Sequence, residues 1–419
     1  MNSCYASIEL LHRPELRGKP MAVGGDPEAR HGIVLAKDQL AKKAGVKTGM
    51  ALWQARQLCS EIIFVPPRMD LYIRFSRLAR EIYGEYSDLV EPFGLDESWI
   101  DVTASTSLLG SGRSIAEEIR NRIKIELGIT VSIGVSWNKI FAKFGSDYKK
   151  PDAVTEITPE NYQKIVWESP AEDLLYVGRA TIGKLHRIGI RSIGEIALAD
   201  PEILHRFLGK MGYILSAFAR GQDETPVAKE GYEAPIKSIG NSTTTPRDLL
   251  TEEDVKIVLY VLAESVASRL REDNFKCRVV EISVRDNELF TFTRQNRIET
   301  PTDVSGEIAA EAMRLFHENY RFEKPVRSVG VRACSLVSAT APYQTTLFED
   351  EELRRKQRIM DETADVLRGR FGFYSLQRGL MYTDGELSHV NAKEDHTVHP
   401  HGYFENGNQV GEELLKRMR

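Results

Sequence analysis

The stretch Gly94-Leu95-Asp96-Glu97-Ser98-Trp99-Ile100-Asp101 sets two adjacent carboxylates among strand-forming residues, and that combination narrows the structures open to this chain. Charges in a folded interior are costly unless something positive sits beside them. Neighbouring side chains on a regular strand point to opposite faces, so Asp96 and Glu97 reach one site only at a turn or distortion. Pro92 and Gly94 supply such a break, and Val90 to Val102 reads as two strands around a turn. Carboxylates clustered this way suit two-metal phosphoryl transfer, in which cations ~4 Å apart clamp the attacking and leaving oxygens. A bare Asp-Glu pair is more often a solvated hairpin turn, so the neighbouring sequence has to decide.

That sequence predicts an α+β chain of several domains. Its 419 residues are too many for one core. Residues 32–59 read as a short strand and two helices punctuated by Gly45 and Gly49. Leu71, Phe75, Leu78 and Ile82 fall at i, i+4, i+7 and i+11, the apolar face of an amphipathic helix. Ser114-Ile115-Ala116-Glu117 reads as a capping box that opens a helix through Ile119 and Ile123. Ile129, Val131, Ile133 and Val135 alternate as a half-buried strand, and strands mixed with helices on one side of a mostly antiparallel sheet make an α+β domain. Residues 157–227 look all-helical, and a polar linker with Gly231 and Pro235 follows. A second α/β segment begins at Lys237, where Val280, Ile282 and Val284 alternate with polar residues. Beyond about residue 339 come a loop, a charged helix through Leu353, Met360 and Leu367, and a tail rich in Gly, His and Asn.

A net charge of −5 leaves nucleic acid neither favoured nor excluded, because phosphate contacts are needed only along one groove. Cys4, Cys59, Cys277 and Cys334 are scattered with no CxxC pair, which argues against a zinc site or disulfide framework and fits a reducing cytosol. No apolar run reaches transmembrane length, and the opening residues lack the pattern of a secretory signal. The expected location is cytoplasmic, with no membrane partner.

Further motifs carry a family resemblance. Met1-Asn2-Ser3-Cys4-Tyr5-Ala6-Ser7-Ile8-Glu9, Arg17-Gly18-Lys19-Pro20, Ala41 to Gly49, Gly94 to Asp101, Ser136-Trp137-Asn138-Lys139 with Ala142-Lys143, and Lys149-Lys150-Pro151 occur in that order. Together they resemble the Y family of translesion DNA polymerases, in its bacterial polymerase IV-like branch. The resemblance implies a multidomain right-hand polymerase: a palm over 1–3 and 68–156, fingers over 4–67, and a helical thumb over 157–227. A linker over 228–236, an α/β little finger over 237–338, a clamp-binding segment over 339–350 and a C-terminal helix and tail over 351–419 complete the expected partition. It implies template-directed, error-prone addition of dNTPs to a primer 3′-OH, with two Mg²⁺ ions, by a monomer bound to primer-template DNA.

Roles follow residue by residue. Asp96 and Glu97 are expected as metal ligands, Glu97 as the catalytic carboxylate, and Asn2 as a ligand through its main-chain carbonyl. Tyr5 takes the steric-gate position that excludes a ribose 2′-OH. Cys4, Lys42 and Lys150 join it in the nucleotide site, as does Gln39, which stands where the family has a tyrosine. The family's first metal-binding aspartate would precede Met1, so the expectation is that the natural chain begins upstream. Val177, Gly178, Ala180 and Lys184 resemble a DNA-binding helix-hairpin-helix, with Ala180 replacing a glycine. Arg285, Arg294, Arg297, Arg327 and Arg332 are candidates for the DNA face of the little finger. Gln344, Leu347 and Phe348, within Tyr343-Gln344-Thr345-Thr346-Leu347-Phe348, resemble a sliding-clamp-binding peptide. His389, His396, His399 and His401 lie in a polar tail with no ordered ligand geometry. Two rival readings remain at this stage: a non-catalytic DNA- and clamp-binding protein, and a two-metal nuclease, which would need further acidic ligands near Asp96.

Overall fold

The computed structural model describes residues 1–25, 32–229, 231–232, 235–344 and 350–390. Among the described residues the chain divides into two compact units, the first made of residues 1–24 and 34–232 and the second of residues 25, 32–33 and 235–390.

The first unit opens with α1 (Cys4–His12), followed by β1 (Met21–Gly24), β2 (Val34–Lys37), α2 (Gln39–Lys43), α3 (Leu52–Leu58) and β3 (Ile63–Val65). The three strands form one sheet in the order β2-β1-β3, closed over Ala22, Val34, Ala41, Leu52 and Ala55. Asp38 caps α2, its Oδ1 accepting from Ala41 N at 2.8 Å and from Met21 N at 3.2 Å. That double contact sets the start of α2 against the sheet.

The helix expected from the 71–82 periodicity is α4 (Met69–Gly84), but its buried face is Tyr72, Ser76, Ala79, Ile82 and Tyr83. Leu71, Phe75 and Leu78 are only half-buried. Small residues let α4 approach α1 closely, and Tyr72 supplies the core contact. Its ring stacks on Tyr5 at 4.3 Å between centroids, and its hydroxyl donates to Glu9 Oε1 at 2.8 Å. Arg68 closes this knot with a bidentate contact to the fully buried Glu9 carboxylate, at 3.0 and 2.6 Å.

The predicted hairpin is β4 (Val90–Phe93) and β5 (Glu97–Ile100), antiparallel with Phe93 opposite Glu97. Next come α5 (Thr106–Leu109), α6 (Gly112–Arg122), β6 (Ile133–Val135), α7 (Lys139–Tyr148) and β7 (Val154–Glu156). The cap of α6 is Ser111, whose hydroxyl accepts from Ser114 N, so the helix begins earlier than the Ser114–Glu117 box suggested. The alternation from Ile129 yields a paired strand only over Ile133–Val135, parallel to β7. Ile129 and Val131 are buried in the core beside α4 and α6, so their alternation reports burial rather than ladder pairing. The mostly antiparallel sheet expected here is, among the described residues, two separate two-stranded ladders, β4–β5 antiparallel and β6–β7 parallel. The helical expectation for 157–227 holds through α8 (Arg179–Arg187), α9 (Ile193–Leu198), α10 (Pro201–Leu208) and α11 (Lys210–Ala219). They share a core containing Leu185, Ile193, Leu204 and Leu215.

The second unit contains β8 (Ser238–Leu249), α12 (Glu252–Glu272), β9 (Phe275–Asp286), β10 (Thr291–Thr302), α13 (Ser305–Asn319), β11 (Val326–Cys334) and the short β12 (Val337–Ser338). Strands run β10-β9-β11-β8, antiparallel throughout, with β12 on β9. Val280, Ile282 and Val284 are buried with residues of α12 and α13 in one core, as their alternation predicted. The expected charged helix is α14 (Glu351–Phe371), with Leu353 exposed by 52%, Met360 by 69% and Leu367 by 37%. Ion pairs hold it instead. Arg271 meets Asp361 and Asp365, Arg354 meets Glu307, and Arg368 joins Arg378 on Glu264.

Candidate active site and nucleic-acid interface

The β4–β5 hairpin turns through Gly94, whose φ of +68° lies where side chains are disfavoured. The turn places Asp96 and Glu97 together on the wall of a cleft of about 400 Å³, with Met1, Lys143 and Lys150 also lining it. The main-chain nitrogen of Met1 donates to the Asp96 carbonyl at 2.6 Å and fixes the tip. Close by, the base of the hairpin is tied to α7. Trp99 Nε1 donates to Lys139 O at 3.0 Å, and the buried Lys139 ammonium contacts Glu91 Oε2 at 2.5 Å.

Helix α7 carries the opposite charge to this wall. Lys143 Nζ lies 2.9 Å from Glu97 Oε1 and 2.6 Å from Asp147 Oδ2, and Lys150 pairs with the other Asp147 oxygen. Burial would lower the Lys143 pKa, but Glu97 and Asp147 outweigh it and raise the ammonium above its ordinary value. Burial would raise Asp147, yet the two lysines hold it below the usual aspartate value. Helix α7 lies this near because position 134 is glycine. A Cβ there would sit 1.9 Å from the Ala142 carbonyl oxygen.

Asp96 and Glu97 are oxygen donors of the kind a hard divalent cation takes, and among the described residues no cationic group pairs with the Asp96 carboxylate. They fit such an ion as a partial set, because no group of three His, Cys, Asp or Glu gathers at ligand spacing among the described residues. The nuclease reading thus lacks its further acidic ligands there. Asn2 is buried, and its main-chain oxygen accepts from Ser7 Oγ at 2.8 Å, while its nitrogen donates to Thr130 O at 2.9 Å.

Tyr5 is half-buried on α1, stacked on Tyr72. Its phenol is raised by burial first, then by the charges of Cys4 and Asp96. Cys4 instead faces the core, where burial pushes its thiol up to about 12 with a further contribution from Asp96. Only its main chain is left for the nucleotide contact expected of it. Gln39 and Lys42 are exposed on α2. Lys37, which sequence reasoning passed over, joins them from β2: burial, then the Lys42 charge, lowers its pKa. Lys143 and Asp147 were also missed as site residues, although their i, i+4 spacing on a helix signalled a pair.

In the helical segment Val177 is buried, whereas Gly178, Ala180 and Lys184 are exposed at the N-terminal end and along α8. The five arginines divide. Arg285, Arg297 and Arg332 project from the sheet face opposite α12 and α13, alongside Ser283, Thr291, Thr293 and Ser328, as the strand registers require. Arg294 pairs opposite Ile282, on the helix-bearing face, and its Nε donates to Asn319 of α13 at 3.1 Å. It is removed from the set on that face. Arg327 sits at a register irregularity, half-buried. Gln344 is exposed, and Leu347 and Phe348 lie outside the described residues, as do His396, His399 and His401.

This architecture matches that of a solved Y-family DNA polymerase chimera, with a TM-score of 0.70 over 80% of this chain and 97% of the other, at 23% identity. That likeness defines the fold class. Sequence narrows it further. The impB/mucB/samB family profile matches residues 1–147, and the impB/mucB/samB family C-terminal domain matches residues 236–347. A protein named DNA polymerase IV from Acetivibrio thermocellus is 51% identical over 390 residues, covering 93% of this chain and 98% of that protein. The protein named DNA polymerase IV 1 from Bacillus subtilis is 37% identical over 381 residues, covering 90% and 91%. The chain belongs to the impB/mucB/samB family, the Y family of DNA polymerases.

Proposed function

We propose that the protein is a template-directed, error-prone translesion polymerase, with Asp96 and Glu97 as its metal-binding carboxylates. The observation that carries this reading is the pair at the hairpin tip, sharing a cleft with Lys143 and Lys150. Two bound Mg²⁺ ions would supply charge neutralisation to the attacking and leaving oxygens. The rest falls to the chain. Asp96 and Glu97 would hold the ions, and Lys150 and Lys42 offer point charges to the triphosphate. Tyr5 lies under the sugar. The primer 3′-oxygen bonds to the α-phosphorus, the bond to pyrophosphate breaks, and the 3′-hydroxyl proton passes to solvent.

In this reading residues 1–3 and 68–156 are the palm, 4–67 the fingers, 157–227 the thumb and 237–338 the little finger. The backbone N–H groups at Gly178 and Ala180 meet a DNA phosphate without reading sequence. The hydroxyls and arginines on the open face of the β8–β11 sheet are suited to the same task. Gln344, Leu347 and Phe348 dock the protein on a sliding clamp and raise its effective concentration at primer ends.

Primer extension by the purified protein with Mg²⁺ and dNTPs, with Asp96→Ala as the blank, tests the reading. Extension that disappears in the variant is expected. DNA binding without extension by the parent would favour the non-catalytic DNA- and clamp-binding alternative.

A further inference from the structure

The four side chains Glu97, Lys143, Asp147 and Lys150 form a row of alternating charge that starts on the cleft wall at Glu97. Glu97 Oε1 is 2.9 Å from Lys143 Nζ, which is 2.6 Å from Asp147 Oδ2, and Asp147 in turn holds Lys150. Lys143 is the most enclosed member, its side chain 16% exposed against 50% for Asp147. One ammonium therefore serves two carboxylates, one assigned to the metal and the other outside the cleft lining.

We propose that Lys143 is a positioning residue that occupies Glu97 before a divalent cation arrives, and that Asp147 sets how firmly it does so. The inference rests on Glu97 being a metal-binding carboxylate, as read above. A carboxylate facing a cleft without a counter-ion turns toward solvent or attracts a stray cation. Lys143 keeps Glu97 aimed and compensated. A divalent cation that takes Glu97 must displace this ammonium, and Asp147 gives the displaced ammonium a place to stay. It is already in contact, on the same helix one turn away, so the exchange needs only a small movement of Nζ. The close seat of α7 on Gly134 limits larger excursions. Lys150 shares Asp147, so the lysine assigned to the triphosphate and the one assigned to Glu97 are held by a single carboxylate.

Asp147 then acts on the metal site only through Lys143. Losing Asp147 leaves Lys143 with Glu97 as its one anionic partner among the described residues, and the cation meets a stronger competitor. Losing Lys143 removes the competitor, and Asp147 becomes irrelevant to the metal.

The test is Mn²⁺ binding to the full chain without DNA or nucleotide, read from the electron paramagnetic resonance signal of free Mn²⁺. Asp147→Asn is expected to weaken binding by roughly tenfold, within the range of coupling between contacting charges. Lys143→Met is expected to strengthen it, and adding Asp147→Asn to Lys143→Met should change nothing. Equal thermal midpoints across the variants establish that each is folded, and Asp147→Glu should restore parental affinity. If Asp147→Asn weakens Mn²⁺ equally in both backgrounds, or in neither, the inference is overturned. Glu97→Gln serves as the separate control. Parental Mn²⁺ affinity in Glu97→Gln would overturn the metal-site reading itself. Loss of binding there, with equal effects of Asp147→Asn in both backgrounds, would overturn the positioning role alone.

Discussion

Tyr5 and Glu9 sit one helical turn apart on α1 and meet the same partner, Tyr72, by ring stacking and by hydrogen bond. The stack holds the Tyr5 ring in one plane, as the steric-gate role proposed for it would require. Tyr5→Ala is expected to relax the preference for dNTPs over rNTPs by on the order of a hundredfold, measured as the ratio of kcat/KM values. Burial would raise the Glu9 carboxyl, but Arg68 and Tyr72 hydrogen bonds and the Arg68 charge overcome it and leave the group below its ordinary value. A lowered carboxyl contributes stability that is complete above its unfolded value near 4.5 and is lost as pH falls through the folded one. Thermal midpoints should therefore fall more steeply below that pH in the parent than in Glu9→Gln. Parallel slopes would remove Glu9 from the acid response. That Asp96 and Glu97 share a hairpin turn was legible in the sequence because the motif is local. What joins Glu97 to Lys143, separated by 46 positions, was not, since spacing along the chain carries no record of a tertiary pair.

At the scale of elements, α7 is seated on β6 through two glycines. A Cβ at Gly134 would meet the Ala142 carbonyl oxygen at 1.9 Å, and one at Gly145 would lie 3.1 Å from the Gly134 Cα. Gly134→Ala should cost about 1–3 kcal/mol through overpacking. Chemical denaturation would report that loss, and nucleotide addition should fall with it because Asp147 shifts with α7 and carries Lys150, the lysine proposed for the triphosphate, out of place. Unchanged stability would mean that α7 can shift freely. On the second unit, strand parity separates the arginines. Arg285→Ala, Arg297→Ala and Arg332→Ala should each reduce the salt dependence of DNA binding by about 0.9 in log–log slope if each meets one phosphate. Arg294→Ala should leave the slope unchanged. The period-two rule already implied that Arg294 and Arg297 face opposite ways, a signal present in the sequence but unused. The α4 periodicity marked the helix, with Ile82 in the core and Leu71 and Phe75 packed at its edge, while Ser76 and Ala79 lie within the contact and carry no apolar signal of that size. In α14 the apolar spacing was real but was never buried, because arginine–carboxylate pairs do the docking.

Across the whole molecule, the α+β class, the helical middle and the start of the second unit were readable from periodicity and punctuation. The division of the strands between Val90 and Glu156 into separate ladders was not, because alternation reports which side chains are buried and says little about the strand alongside. Glu97, with Asp96, is proposed to carry the chemistry of nucleotide addition and to leave DNA binding to other surfaces. Single-turnover incorporation of one dNTP by the parent and by Glu97→Gln, with DNA affinity measured in parallel, tests it most directly. A rate lower by on the order of 10³ at unchanged DNA affinity is the predicted result. Incorporation by Glu97→Gln at the parental rate would contradict it.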